Sequence, residues 1–150
     1  MYPYRELTHE IIAAAIEVHK NLGPGLLESV YSLCLQLEFD HRKIRYQKEL
    51  EVPLSYRNRT IERAFRFDFL VEHEVILELK SSDGLLPIHE AQLLTYLKLA
   101  GKQVGLLINF NVSLLKTGIR RCVLTNNKAF NAELESRRGD AEGLAGRRIR

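Results

Sequence analysis

The stretch QVGLLINF, Gln103 to Phe110, is nearly all apolar. A strand of this composition fits burial on both faces, which requires cover on both sides of a sheet. The segment before it reads as a helix, with Pro87 suited to its first turn and Gly101 at its end. Before that lies VILELK, Val75 to Lys80, a further strand. Strand, helix and strand in this order predict two parallel neighbours joined by a helical crossover. The fold class is therefore α/β.

The rest of the chain builds around that unit. Thr8 is suited to cap a first helix, and Ile11, Ile12, Ala15, His19 and Leu22 follow at helical spacing. GPG, Gly23 to Gly25, stops that helix and turns the chain. A second helix is expected from about Leu26 to Arg42, with Leu27, Val30, Tyr31, Cys34 and Leu37 on one stripe. The period then changes to two. Ile44–Leu54 and Ile61–Val71 read as strands joined by the turn YRNRT, and Ile61–Val71 pairs with Val75–Lys80 through EHE, Glu72 to Glu74. RRCVL, Arg120 to Leu124, is a last short strand. The sheet is then mixed, with flanking helices: an antiparallel meander extended through the crossover. From about Asn126 the pattern dissolves. Residues 1–125 form the expected domain and 126–150 a basic, mobile tail, with a short helix over Lys128–Arg138 as an option.

Charge and cysteines narrow the function classes. The net charge is +3, and the six Lys/Arg and four Asp/Glu of 126–150 supply +2 of it. Binding of polyanions must then come from local clusters, such as HRKIRYQK (His41–Lys48) or YRNRTIERAFR (Tyr56–Arg66). Either cluster reads equally well as solvated surface charge. No apolar run reaches membrane-spanning length, and the N-terminus MYPYRELTHE lacks a signal-peptide pattern, so the expectation is a cytoplasmic protein without a membrane. Cys34 and Cys122 are isolated, with no metal spacing, and read as small buried thiols.

Two polar rows stand out against this apolar framework. Asp68 lies in FRFDFLV, with Phe67 and Phe69 expected on the opposite strand face. Glu78 lies in VILELK with Lys80 on its own side. Pairing through the EHE turn brings Asp68 and Glu78 close on one face. Two carboxylates about 4 Å apart repel by roughly 4 kcal/mol at an effective dielectric near 20. A hard divalent cation reverses that sign, and Mg²⁺ is typically held by one or two carboxylates plus water and phosphate oxygens. Lys80 reaches the same place and could stabilise charge on a phosphate. An ordinary cross-strand ion pair explains the spacing too. On the following helix His89, Gln92 and Tyr96 share a face, which could lie beside the carboxylates. Glu28 shares a helical face with Tyr31 and Leu35. A carboxylate at the edge of an apolar stripe needs a partner, unless the helix start alone accounts for it.

Taken together, GLLESVY (Gly25–Tyr31, a GxxExxY signature), RFDF, ELK and HEAQLLTY resemble a known family in content and order. The chain is similar to GxxExxY proteins of the PD-(D/E)XK nuclease-like superfamily, from about Leu7 to Leu124. The resemblance implies an αβββαβ core, here preceded by an extra N-terminal helix. It implies that Asp68 and Glu78, joined by Glu28, bind Mg²⁺ or Mn²⁺, that Lys80 is the catalytic lysine, and that Gln92 and Tyr96 support the site, with His89 and Tyr31 beside them. The expected function is metal-dependent hydrolysis of phosphodiester bonds in nucleic acid, DNA ahead of RNA. The alternative is a catalytically silent module of the same fold that binds nucleic acid or a partner. Small nucleases of this kind often pair to cut two strands, so the resemblance carries a homodimer as an option.

Overall fold

The computed structural model describes residues 4–124, together with the backbone of Arg148–Ile149. The element order is α1 (Arg5–Leu22), α2 (Glu28–Arg42), β1 (Tyr46–Tyr56), β2 (Arg59–Val71), β3 (Val75–Lys80), α3 (Pro87–Ala100), β4 (Val104–Asn109), β5 (Ile119–Val123) and the two-residue β6 (Arg148–Ile149). The sheet runs β1-β2-β3-β4-β5, and β6 pairs with β2 at Thr60 and Ile61. Strands β1 to β3 form the expected antiparallel meander, β3 and β4 are parallel across α3, and β5 returns antiparallel. This is a mixed α/β sheet with flanking helices, as expected, and α1 is the extra N-terminal helix. The expected tail and its optional helix over Lys128–Arg138 lie outside the described residues, Arg148 and Ile149 excepted.

Two apolar layers hold the sheet. Ile11, Ala14, Ala15 and Val18 of α1 and Tyr31, Leu35 and Phe39 of α2 pack on one face, against Phe69, Leu77, Leu79, Leu106 and Ile108. Leu93 and Leu97 of α3 pack on the other, against Phe67, Leu70, Ile76 and Leu107. All six residues of β4 are buried, as its composition requires. Gly105 lets α3 lie close on β4, because a β-carbon there would meet the Leu93 side chain at 2.8 Å.

Three expectations need correction. Thr8 does not cap α1. The helix begins at Arg5, and Thr8 is buried inside it, its hydroxyl donating to the Arg5 carbonyl and accepting from Arg121. A Ser or Thr hydroxyl can bond back to the preceding turn instead of capping. The stripe on α2 is also rotated. Tyr31, Leu35 and Phe39 form the buried row, while Leu27 and Leu37 are 73% and 60% exposed. Aromatic packing decides the rotation: Tyr31 stacks on Phe110 at 4.5 Å between centroids, and Phe39 meets Phe69 edge-on at 5.7 Å. Finally, Phe67 and Phe69 do not share a face, since they belong to opposite apolar layers. Glu49 of β1, opposite Asp68 by register, has φ of 53°. That local twist breaks the alternation of β2 at Asp68.

Candidate active site

The ladder between β2 and β3 runs from Val71↔Val75 to Phe69↔Leu77 and stops there. The next pair across is Asp68 and Glu78. Here the side chains take over from the backbone. The Leu79 N–H donates to Asp68 Oδ2 at 2.7 Å, and the Asp68 N–H donates to Glu78 Oε1 at 3.2 Å. Each carboxylate thus satisfies a main-chain donor that the splaying strands would otherwise leave unpaired. One oxygen of each is used this way, which leaves the other oxygen of each for a ligand.

Glu28 approaches from the opposite element. It is the first residue of α2, where the helix dipole favours negative charge. Its position depends on the GPG turn, in which Gly23 and Gly25 have φ of 69° and 94°. Side chains with a β-carbon rarely adopt such values. Tyr31 staples the turn: its fully buried hydroxyl donates to the Gly23 carbonyl and accepts from the Leu26 N–H. Ser81, directly after Lys80, donates its hydroxyl to the Leu26 carbonyl at 2.6 Å. The end of β3 and the start of α2 are therefore tied together, which brings Glu28 within electrostatic reach of Asp68 and Lys80.

The acids disturb one another. Burial, and then repulsion from Asp68, pushes the Glu78 carboxyl up to about 8, with Glu28 adding to the rise and Lys80 and the Asp68 N–H opposing it. Asp68 is raised by burial first and by Glu49, against the Leu79 N–H, Lys80 and Arg66. Glu28 is raised by burial and by Asp68, against Lys80. Burial of Glu78 is severe, with 9% of its surface exposed. The arrangement holds more negative charge than its protein cations balance, at a place where desolvation penalises each charge.

Helix α3 supplies the wall. Tyr96 is raised by burial and by the charges of Glu78 and Asp68, while a hydrogen bond from Gln92 works the other way. The Tyr96 ring stacks on Phe65 at 4.9 Å between centroids and lies 6.1 Å from Phe67. Tyr96 is therefore within electrostatic reach of both acids, with Gln92 bonded to it. His89 lies at the helix start. Its Nδ1 accepts the Leu86 N–H at 3.0 Å and closes the start of α3. Its contact is with the helix cap, and the cap sets where α3 begins relative to β3.

Several contributors escaped the sequence reading. Glu49 and Arg66 act on Asp68 through their charge. Phe65 braces Tyr96. Asn109, 1% exposed at the end of β4, accepts from the Ser82 and Asn111 N–H groups and donates to the Ser82 carbonyl. It fixes the loop that follows Lys80. A lone Asn in an apolar run was the signal, because a buried amide needs partners.

The donor set is hard carboxylate oxygen, which suits Mg²⁺ or Mn²⁺ and not a soft metal. Among the described residues, no three His, Cys, Asp or Glu side chains stand at metal-holding spacing. The residues fit the cation by chemistry and by unbalanced charge, with Asp68 and Glu78 paired and Glu28 farther off. Cys34 and Cys122 are free thiols, half-buried and buried. No helix among the described residues is long and apolar enough to cross a membrane.

Comparison with known proteins places this geometry. No curated protein matches the chain. The crystal structure of SSO0001 is similar over 94% of this chain and 68% of that one, with 17% identity and a TM-score of 0.49. The family model described as the PD-(D/E)XK nuclease superfamily matches residues 5–122, across the meander, the crossover and the acids between them. The chain belongs to the PD-(D/E)XK nuclease superfamily.

Proposed function

We propose that this chain is a metal-dependent nuclease of the GxxExxY group, hydrolysing phosphodiester bonds of DNA ahead of RNA. The observation that carries the reading is the pairing of half-buried Asp68 with buried Glu78 at the point where β2 and β3 part, with Lys80 on the same strand. A fold stabilised for its own sake gains nothing from two adjacent acids withdrawn from water to this degree. Asp68 and Glu78, joined by Glu28, are the residues that would hold Mg²⁺ or Mn²⁺. When bound, the cation screens the acids and polarises the phosphate.

The chain's own residues do the rest. Lys80, two residues beyond Glu78, presents an ammonium to the charge that develops on phosphorus-bound oxygen. Its backbone is fixed by β4 on one side and by the bond from Ser81 to Leu26 on the other. Gln92 and Tyr96 line the α3 side, where an amide and a phenol can hold a phosphate oxygen or brace Glu78. Tyr31 holds the loop that presents Glu28, and His89 holds the start of α3.

A second reading is a silent nucleic-acid-binding module. It is favoured by one observation, that no three ligating side chains are drawn together among the described residues. A cleavage assay on single-stranded DNA, duplex DNA and RNA, with Mg²⁺, Mn²⁺ or EDTA, separates the two. Cleavage that needs the metal and vanishes in Asp68→Ala supports the enzyme. Binding without cleavage under every condition supports the module.

A further inference from the structure

Strand β3 pairs with β2 only from Phe69 to Val71. The rest of β2, back to Arg59, continues beyond the sheet with β1 alongside, and β6 touches it at Thr60 and Ile61. The result is a ribbon of β1 and β2, joined by β6 at Thr60 and Ile61, whose base is Asp68. Its tip is Tyr56, Arg57, Asn58 and Arg59, all exposed. From Asp68 to Arg59 is nine residues of strand, roughly 30 Å at about 3.3 Å per residue.

The tip is built unusually. Arg57 and Asn58 both have positive φ, at 48° and 61°. A turn with two such residues favours Asn-Gly, and an arginine in the first position is strained. Strain of this kind points from the observed outlier to a role. The Arg57 guanidinium lies 5.9 Å over the Tyr56 ring, which holds it at the tip. Arg63, lower on the ribbon, is paired with Glu51 at 3.0 Å and is neutralised. Arg57 and Arg59 make no ion pair with a described residue. Arg66, next to the acids, is exposed on the same strand. Positive charge therefore marks both ends of the ribbon, and among the described residues no acid forms an ion pair with the arginines of its tip.

We propose that the β1–β2 ribbon is a backbone-gripping finger, with Arg57 and Arg59 binding phosphates of nucleic acid most of a helical turn from the carboxylates. This rests on the nuclease reading for its ligand class and adds where, beyond the cutting site, the strand is held. A turn of duplex spans about 34 Å, close to the reach of the ribbon. Phosphate contacts of this type position a nucleic acid without reading its sequence.

The test compares wild type with Arg57→Gly/Arg59→Gln. Glycine relieves the positive φ, and both sites are exposed, so the fold is kept; circular dichroism and the thermal midpoint verify this. Fluorescence anisotropy, in EDTA and in Ca²⁺, measures binding to a duplex of about two helical turns and to a hairpin whose stem of about half a turn is too short to reach the tip. The variant is expected to bind the long duplex about tenfold more weakly at near-physiological salt. Its slope of log affinity against log salt should fall by about 2, one per lost phosphate contact. Binding of the short hairpin should stay within about twofold. Unchanged affinity and slope on the long duplex overturn the finger while leaving the nuclease reading intact, as does an equal loss on both probes. If wild type binds neither probe, the nucleic-acid reading falls and the finger with it.

Discussion

Replacing Glu78 by glutamine tests the site without any assumption about substrate. In the folded protein burial and Asp68 hold the Glu78 carboxyl at about 8, against 4.5 for an unperturbed glutamate. The folded pKa lies above the unfolded one, so the folded state binds the extra proton. The stability this contributes is fully present below pH 4.5 and is lost as pH rises through about 8. At pH 7 the unfolded chain gains from ionising Glu78 while the folded chain does not. The gap is about 2.5 pH units, or about 3 kcal/mol at about 1.4 kcal/mol per unit. The glutamine side chain has the same shape, keeps an oxygen for the Asp68 N–H and does not titrate. The Glu78→Gln variant should match wild type within about 1 kcal/mol at pH 5 and exceed it by about 3 kcal/mol at pH 7. Urea melts in EDTA from pH 5 to 9 read this directly. Two stability curves that run parallel across the range would refute the reasoning, because they would show that Glu78 is no more desolvated than a surface acid.

Other expectations follow from the same geometry. Asp68→Ala should abolish Mg²⁺ binding seen by calorimetry in wild type at sub-millimolar to millimolar strength, and equal binding by both proteins would remove the metal site. Lys80→Ala should keep that binding and lose cleavage, since it takes away the charge on the phosphate side and no ligand; a nuclease assay at saturating Mg²⁺ decides. Adding Mg²⁺ at about 100 times its dissociation constant should stabilise wild type by about 2.7 kcal/mol, with a smaller gain for Glu78→Gln, as melts with and without metal will show. Tyr31→Phe strips a donor from the Gly23 carbonyl and an acceptor from the Leu26 N–H. It should cost about 1 kcal/mol and lower cleavage through the displaced Glu28, and a variant with wild-type stability and rate would show that the staple is idle.

Why the framework could be read from residues alone is clear from β3, α3 and β4. Their boundaries follow from strong local signals: Pro87 at the first helical position, Gly101 at the end with φ of 68°, and an apolar run between buried neighbours. Helix α2 shows where such signals fail. Its apolar residues cover most of its circumference, so hydrophobic spacing permits more than one buried stripe. The choice was made by partners distant in sequence, Phe69 and Phe110, and by a hydroxyl bond to Gly23. Glu28 shares its face with Tyr31 and Leu35, the stripe that won, and lies within electrostatic reach of Asp68 and Lys80.

The site was legible for a different reason. Asp68 and Glu78 violate the pattern of the strands that carry them, and a charge in an apolar strand needs an explanation whatever the fold. Their register was set by a short turn in which Glu72 and His73 take positive φ, a conformation that residue type alone does not announce. The twist at Glu49 was hidden for the same reason, since a left-handed glutamate has no marker of its own as a glycine has. That twist matters to the chemistry. With Phe67 and Phe69 drawn into opposite layers, Asp68 is held at the change of face, and β2 leaves β3 there. A regular ladder would have paired the Leu79 N–H with backbone instead. The irregularity frees that donor, Asp68 answers it, and the acid is thereby aimed at its neighbour Glu78. The same departure from regular pairing that hid the geometry from the sequence is what brings the two carboxylates together, each on a main-chain donor of the opposite strand.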